Sequence, residues 1–148
     1  MAETLTYRAP MRSRRDDIAP GAAVERALRL GICGVGGRLT EPPADLDEAV
    51  RAVARAHDER VARRLARFAD APDGSHVWTR DAEGWHWHGV LDGPWRHDDD
   101  PAAFEVDLVH VRPCQWDDEP TAEDRVPAAV LETFARGGRN WQRIHAAR

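Results

Sequence analysis

The chain contains no lysine. All 21 of its basic residues are arginine, set against 26 aspartates and glutamates for a formal charge of −5. The codon bias of a GC-rich genome, which raises arginine and alanine together, is the expected cause of that choice of cation. The acidic total weakens a reading as a protein that coats nucleic acid through net charge, because phosphate binding normally uses a basic face. It leaves room for a local arginine patch. Cysteine is scarce too: Cys33 and Cys114 are too few for a disulfide framework and are expected as buried thiols in a reducing compartment. No apolar run approaches the ~20 residues that cross a bilayer. The first twenty residues carry charges where a secretory leader has its apolar stretch. No membrane partner and a cytoplasmic location are therefore expected. Tyrosine and phenylalanine are few, one and three, whereas tryptophan is abundant at six.

At 148 residues, with 42% hydrophobic and 32% charged content, the chain fits one folded α+β domain. The first twenty residues lack periodicity and cluster Arg12, Arg14 and Arg15. They are expected as a mobile arm, with the domain over 21–148. The charge is sorted along the chain: residues 1–69 carry +3, residues 70–124 carry −12 and residues 125–148 carry +4. Ala22 to Leu30 reads as a short helix or strand entry into a glycine-dense stretch, Gly31 to Gly37. Those glycines let backbone approach backbone or ligand closely, but they do not give the G-x-G-x-x-G spacing of a dinucleotide loop. Asp45, with Glu48 three residues on, opens an amphipathic helix whose apolar positions run from Leu46 to Phe68, with a break expected near His57-Asp58. Its arginines at 51, 55, 60, 63, 64 and 67 read first as a solvated face.

Ser75–Thr79 and Trp85–Leu91, joined by Asp81-Ala82-Glu83-Gly84, predict a hairpin. Phe104 to Arg112 alternates as a third strand, after a polar loop that includes Asp98-Asp99-Asp100. Val126 to Phe134 predicts a short helix with Pro127 near its first turn. A last apolar segment runs from Trp141 to Ile144.

Period two on the returning strand places Trp85 and Trp87 on one face, expected as core, and His86 and His88 on the other. Trp95 and Trp116 sit beside turns, where an indole can line a pocket mouth. A flat aromatic wall suits a flat ligand such as a nucleobase. His86 and His88 at i, i+2 form half of a metal site, and a small metal-dependent enzyme is one alternative. No second pair at ligand spacing completes it. Ser75, Cys33 and Cys114 lie in no nucleophile motif, so no catalytic residue, metal or cofactor is assigned. A protein-interaction module, suggested by the arginine helix and the acidic middle, is the other alternative.

The order Leu30-Gly31-Ile32-Cys33-Gly34, Val77-Trp78-Thr79-Arg80-Asp81, Gly93-Pro94-Trp95-Arg96, Val109-His110-Val111-Arg112-Pro113 and Asn140-Trp141-Gln142-Arg143-Ile144 resembles the small PUA-like domains of the EVE and YTH type. These include domains fused to Mrr- and McrB-like restriction proteins. The resemblance covers about residues 28–145. It implies a small bent antiparallel β-barrel flanked by helices, and a non-catalytic reader that accepts a flipped, modified base of DNA or RNA in an aromatic pocket. The setting it implies is restriction-modification or phage defence, beside a nuclease or other effector protein. Carried over onto this sequence, Ile32, Cys33, Gly34 and Val35 form a backbone wall, and Trp95 and then Trp78 form stacking walls. Arg96 and Arg112 are the phosphate or base-edge contacts. The sequence departs from the pattern at Gly34-Val35, where such domains often carry an aromatic residue.

Overall fold

The computed structural model describes residues 4–13 and 17–145. Strand β1 (Thr6–Arg8) is followed by α1 (Ala22–Leu30), β2 (Ile32–Val35), α2 (Leu46–Ala56) and α3 (Glu59–Asp70). The hairpin β3 (His76–Arg80) and β4 (His86–Leu91) leads to β5 (Arg96–His97), α4 (Pro101–Glu105) and β6 (His110–Trp116). A 3-10 turn, α5 (Ala128–Ala135) and β7 (Gln142–Arg143) close the chain. The seven strands form one α+β sheet, ordered β2-β6-β4-β3-β1-β7, with β5 beside the first residues of β6. The sheet curls as an open half-barrel rather than a closed barrel. Its pairings are antiparallel except for β1 with β3, where Thr6 faces His76 in a parallel register.

The helices start where the sequence offers caps. The Asp45 carboxylate accepts from the Glu48 amide at 2.8 Å, and the Glu48 carboxylate reaches back one residue beyond the cap to accept from the Ala44 amide at 3.1 Å, a shifted form of the capping box. One break later, Asp58 accepts from the Val61 amide at 2.8 Å and starts α3. The expected interruption at His57-Asp58 is therefore a capped junction between two helices. The interior of α2 and α3 (Val53, Leu65 and Phe68) is fully buried against Val77, Leu91 and Val111 of the sheet. A second, smaller cluster lies around Trp78, where Val126, Val130 and Ile144 cover it. Alternation along β3 thus sends Val77 to one core and Trp78 to the other.

Three expectations change. The first twenty residues do not behave throughout as a mobile arm: Tyr7, Arg8, Ala9 and Met11 are buried. Arg8 donates to the carbonyls of Thr133 at 2.9 Å and Gly137 at 3.0 Å, and so ties β1 to the end of α5. Arg14 and Arg15 lie outside the described residues. The third strand is displaced. Asp100 caps α4 by accepting from the Ala102 amide at 2.9 Å, Pro101 occupies its first position, and Asp107 turns the chain at φ 54°. The strand then begins only at His110. The aspartate run is not simply a solvated loop either, because Asp98 is buried and pairs with Arg26 of α1 at 3.3 Å.

Arg112 lies at the centre of β6 and is only 2% exposed. Its guanidinium donates to the carbonyls of Phe68 (2.9 Å) and Ala71 (2.7 Å) at the end of α3, to Gly93 (2.8 Å), and to the Asp73 carboxylate (2.8 Å). A cation at a helix C-terminus is favoured by the helix dipole as well as by these bonds. Replacing Arg112 with Met leaves those carbonyls unpaired, so Arg112→Met should lower the unfolding free energy by about 3 kcal/mol. Exposed Arg96→Ala should change it by less than about 0.5 kcal/mol. Urea denaturation of both variants checks the contrast; equal midpoints would contradict the role given to Arg112.

Candidate functional site

The glycine stretch folds into β2, which is an end strand of the sheet. Gly31 accepts from the Cys114 amide at 2.9 Å, so the hydrogen-bonded pairs with β6 fall at Gly31, Cys33 and Val35. Pro113, which has no N–H, takes the non-bonded position opposite Ile32. The same parity turns the backbone groups of Ile32 and Gly34 to the open edge. The Ile32 carbonyl is taken by the Trp116 indole N–H at 2.8 Å. Gly34 faces a cleft.

That cleft has a volume of about 590 Å³, inside the ~300–1,000 Å³ range of small-ligand sites. Gly34 to Gly37 form one wall. The segment Ala9 to Ser13 after β1, Val61 and Arg64 of α3, and Arg139 to Trp141 before β7 form others, with His57 and Phe104 at the margin. Arg12 and Arg139 are exposed at its rim. Asp107 is the acidic residue in the lining, and its carboxylate accepts from the Gly37 amide at 3.1 Å and from the Ser13 hydroxyl at 3.2 Å. A Cβ on Gly36 would come within 2.9 Å of that carboxylate, so glycine is what allows the acid to approach the backbone. Arg38, the fourth arginine of the lining, is engaged with α4: it donates to the carbonyls of Phe104 at 2.6 Å and Glu105 at 2.8 Å.

Two aromatic side chains line the cleft: Phe104 of α4, half-exposed with the Arg38 guanidinium 4.6 Å over its ring, and, more deeply placed, Trp141. The Trp141 ring stacks on Tyr7 at 4.6 Å and meets the edge of Phe68 at 5.0 Å. Trp141 is 5% exposed, and its buried indole nitrogen has no hydrogen-bond partner among the described residues. The same holds for the side-chain oxygen of the neighbouring Asn140. Buried indole N–H groups ordinarily find an acceptor.

The expected base-binding residues separate. Gly34 and Val35 line the cleft, whereas Ile32 and Cys33 are buried in the sheet. Burial pushes the Cys33 thiol up to about 12 and raises that of Cys114, so neither is a nucleophile near neutral pH. Trp78 lies in the second core, away from the cleft lining. Trp85, expected as core, is 52% exposed in the turn before β4. Trp87 is half-buried and donates to Asp81 at 2.9 Å. Arg96 is exposed on β5 and lines no part of the cleft, while Arg112 is consumed inside the fold.

Trp95 acts at one remove. Its indole N–H donates to Nδ1 of His110 at 3.2 Å, so the His110 proton sits on Nε2 and is donated to the Gly37 carbonyl at 2.9 Å. Trp95 therefore braces the glycine wall instead of stacking on a ligand. Met11, Arg64, Asp107, Arg139 and Trp141 were missed by sequence reasoning. The signal that was present is the Gly137-Gly138 turn leading into Arg139-Asn140-Trp141, an arginine, an amide and an indole side by side.

The histidines pair with each other and with protein groups. His76 Nδ1 lies 2.6 Å from His88 Nε2, and His88 Nδ1 lies 3.2 Å from Asp117. His86 packs edge-on against Phe134 instead. Among the described residues no three His, Cys, Asp or Glu side chains gather as metal ligands. No helix among them is long and apolar enough to cross a membrane.

His110 gives the site a pH signature. Burial, partly offset by the bond to the Gly37 carbonyl, lowers its pKa from 6.5 to about 4. Below pH 6.5 the unfolded chain takes up a proton that the folded protein refuses until about pH 4, so stability falls as pH falls through that window. The loss should be on the order of 2–3 kcal/mol. His97, which burial also lowers, acts in the same direction. Urea midpoints at pH 7 and 4.5 measure the loss, and His110→Gln should reduce it; an unchanged slope would contradict the assignment. The chain matches no family model, no curated protein and no solved structure, so the reading of this site rests on its own geometry.

Proposed function

We propose that the protein is a non-catalytic nucleic-acid reader that takes one nucleotide into the cleft between the open glycine edge of β2 and helix α3. The observation that carries this reading is the composition of that cleft: a close-approach backbone wall, a rim of arginines and a single carboxylate against the glycines. The arginines suit a phosphate. The Asp107 carboxylate and the edge groups of Gly34 suit the donor and acceptor pattern of a base. Met11, Val35, Phe104 and Trp141 supply the apolar contact.

The site differs from an aromatic cage. Extracting a base from a duplex costs a few kcal/mol, and each base–aromatic stack returns about 1–3 kcal/mol. With the Trp141 indole largely buried and the Phe104 ring covered by Arg38, the cleft favours a base that is already unpaired or weakly paired. Discrimination, including that of a modified base, then falls to the polar edge. The fold type proposed is PUA-like, of the EVE or YTH kind, working in the cytoplasm as the reading partner of a nuclease or other effector in restriction or phage defence.

Titration with nucleoside monophosphates and with short oligonucleotides, methylated and unmodified, tests the reading at low salt. Saturable binding is expected, weakened about tenfold by Arg139→Glu at the exposed rim. Absence of binding by every probe, or an unaltered affinity in that variant, would overturn it.

A further inference from the structure

Next to the cleft lies a second, shallower groove of about 800 Å³, and the two share Arg64, Asn140 and Trp141. Its lining carries Arg60, Arg63, Arg64 and Arg67 of α3 and Arg143 of β7, against Asp70 alone among the acidic residues. Arg60 and Arg67 each lie three and four residues from the adjacent pair Arg63-Arg64, so the four share one side of the helix, and residues 60 to 67 span about 10 Å along the axis. Arg60, Arg63 and Arg67 are exposed and form no ion pair among the described residues. A merely solvated helix face pairs such cations with acids one turn away. Here the neighbours one turn away are mostly other arginines, which repel one another until an anion lies between them. Arg143 extends the positive strip across to the sheet edge.

We propose that this strip is a phosphate track, and that it carries a single strand of nucleic acid onward from the cleft, across Asn140 and Trp141. The inference rests on the reading of the cleft as a nucleotide site and adds the form of the ligand. Two observations support it independently. One is the unbalanced charge of the groove. The other is the pair of orphaned polar atoms, Asn140 Oδ1 and Trp141 Nε1, located in two of the three residues that cleft and groove share. A single strand bends from one concavity into the next, whereas a duplex is stiff over this distance and meets a surface from outside. The limited aromatic surface of the cleft agrees, with Trp141 buried and the Phe104 ring under Arg38, since an unpaired base has no extraction cost to recover.

The experiment compares a nucleoside monophosphate, an eight-nucleotide single strand and a duplex of the same sequence, over a salt series, with the native chain and with Arg63→Glu/Arg67→Glu. Both substitutions lie on the exposed helix face, and circular dichroism checks the helix. The single strand should bind at least tenfold more tightly than the monophosphate and more tightly than the duplex. Its log affinity should fall with log salt by about 0.7 for each phosphate engaged. The double variant should weaken the single strand at least tenfold and flatten that slope, while monophosphate affinity stays unchanged. A single strand that binds no better than the monophosphate, a duplex that binds as well, or an unchanged slope in the variant would overturn the track and leave the cleft reading standing. If the monophosphate fails to bind while the strand still binds with a variant-sensitive slope, the track holds and the cleft reading falls. If neither binds, both fall.

Discussion

The guanidinium of Arg112 ties together three parts of the structure. The end of α3 offers carbonyls, the turn after it offers Asp73, the loop after β4 offers Gly93, and one planar cation on β6 satisfies all of them. A lysine ammonium has three donors on a flexible stem and cannot span this set. The position of α3 over the sheet follows from that tie and from the burial of Leu65 and Phe68 beneath it. Both clefts follow in turn, because α3 is a wall of each. Arginine therefore has two uses in this chain. Arg8, Arg26 and Arg112 are turned inward and spent on carbonyls and carboxylates, while Arg60, Arg63 and Arg67 are turned outward.

The fold also sorts charge that is already sorted along the sequence. The basic segments at the two ends of the chain meet where β1, α3 and the residues around β7 converge. Of the acidic middle, Asp107 and Asp70 line the two concavities. The net charge of the chain thus says little about the charge of the site.

Legibility from sequence followed the range of the interactions. The junction at His57-Asp58 was readable because Asp45 and Asp58 cap their own helices within three residues. The β3–β4 hairpin was readable from its turn. Phe104 to Arg112 misled because alternation is a weak signal beside a local one: Asp100 and Pro101 start a helix whatever follows. Strand β1 was not readable, since three residues carry no period and their partner lies about seventy residues away. The same limit applied to the site. The glycine edge could be found locally, but its aromatic neighbour is decided by where the chain returns, and the return brings Trp141 rather than Trp95. Trp95 was placed near the right wall for a different reason, through His110 to the Gly37 carbonyl. For the α3 arginines, spacing revealed the stripe, and only the packed structure revealed that the stripe lines a groove.

The central claim is that the open edge of β2 and the indole of Trp141 border one ligand site. Backbone amide and indole N–H resonances recorded during titration with a nucleoside monophosphate test it most directly. The account predicts shifts concentrated at Gly34, Gly36, Gly37, Asp107 and the Trp141 indole, with Trp78 and Trp85 unmoved. Shifts confined to the Trp85 turn or to the acidic segment around Asp98, with the glycine edge silent, would contradict it.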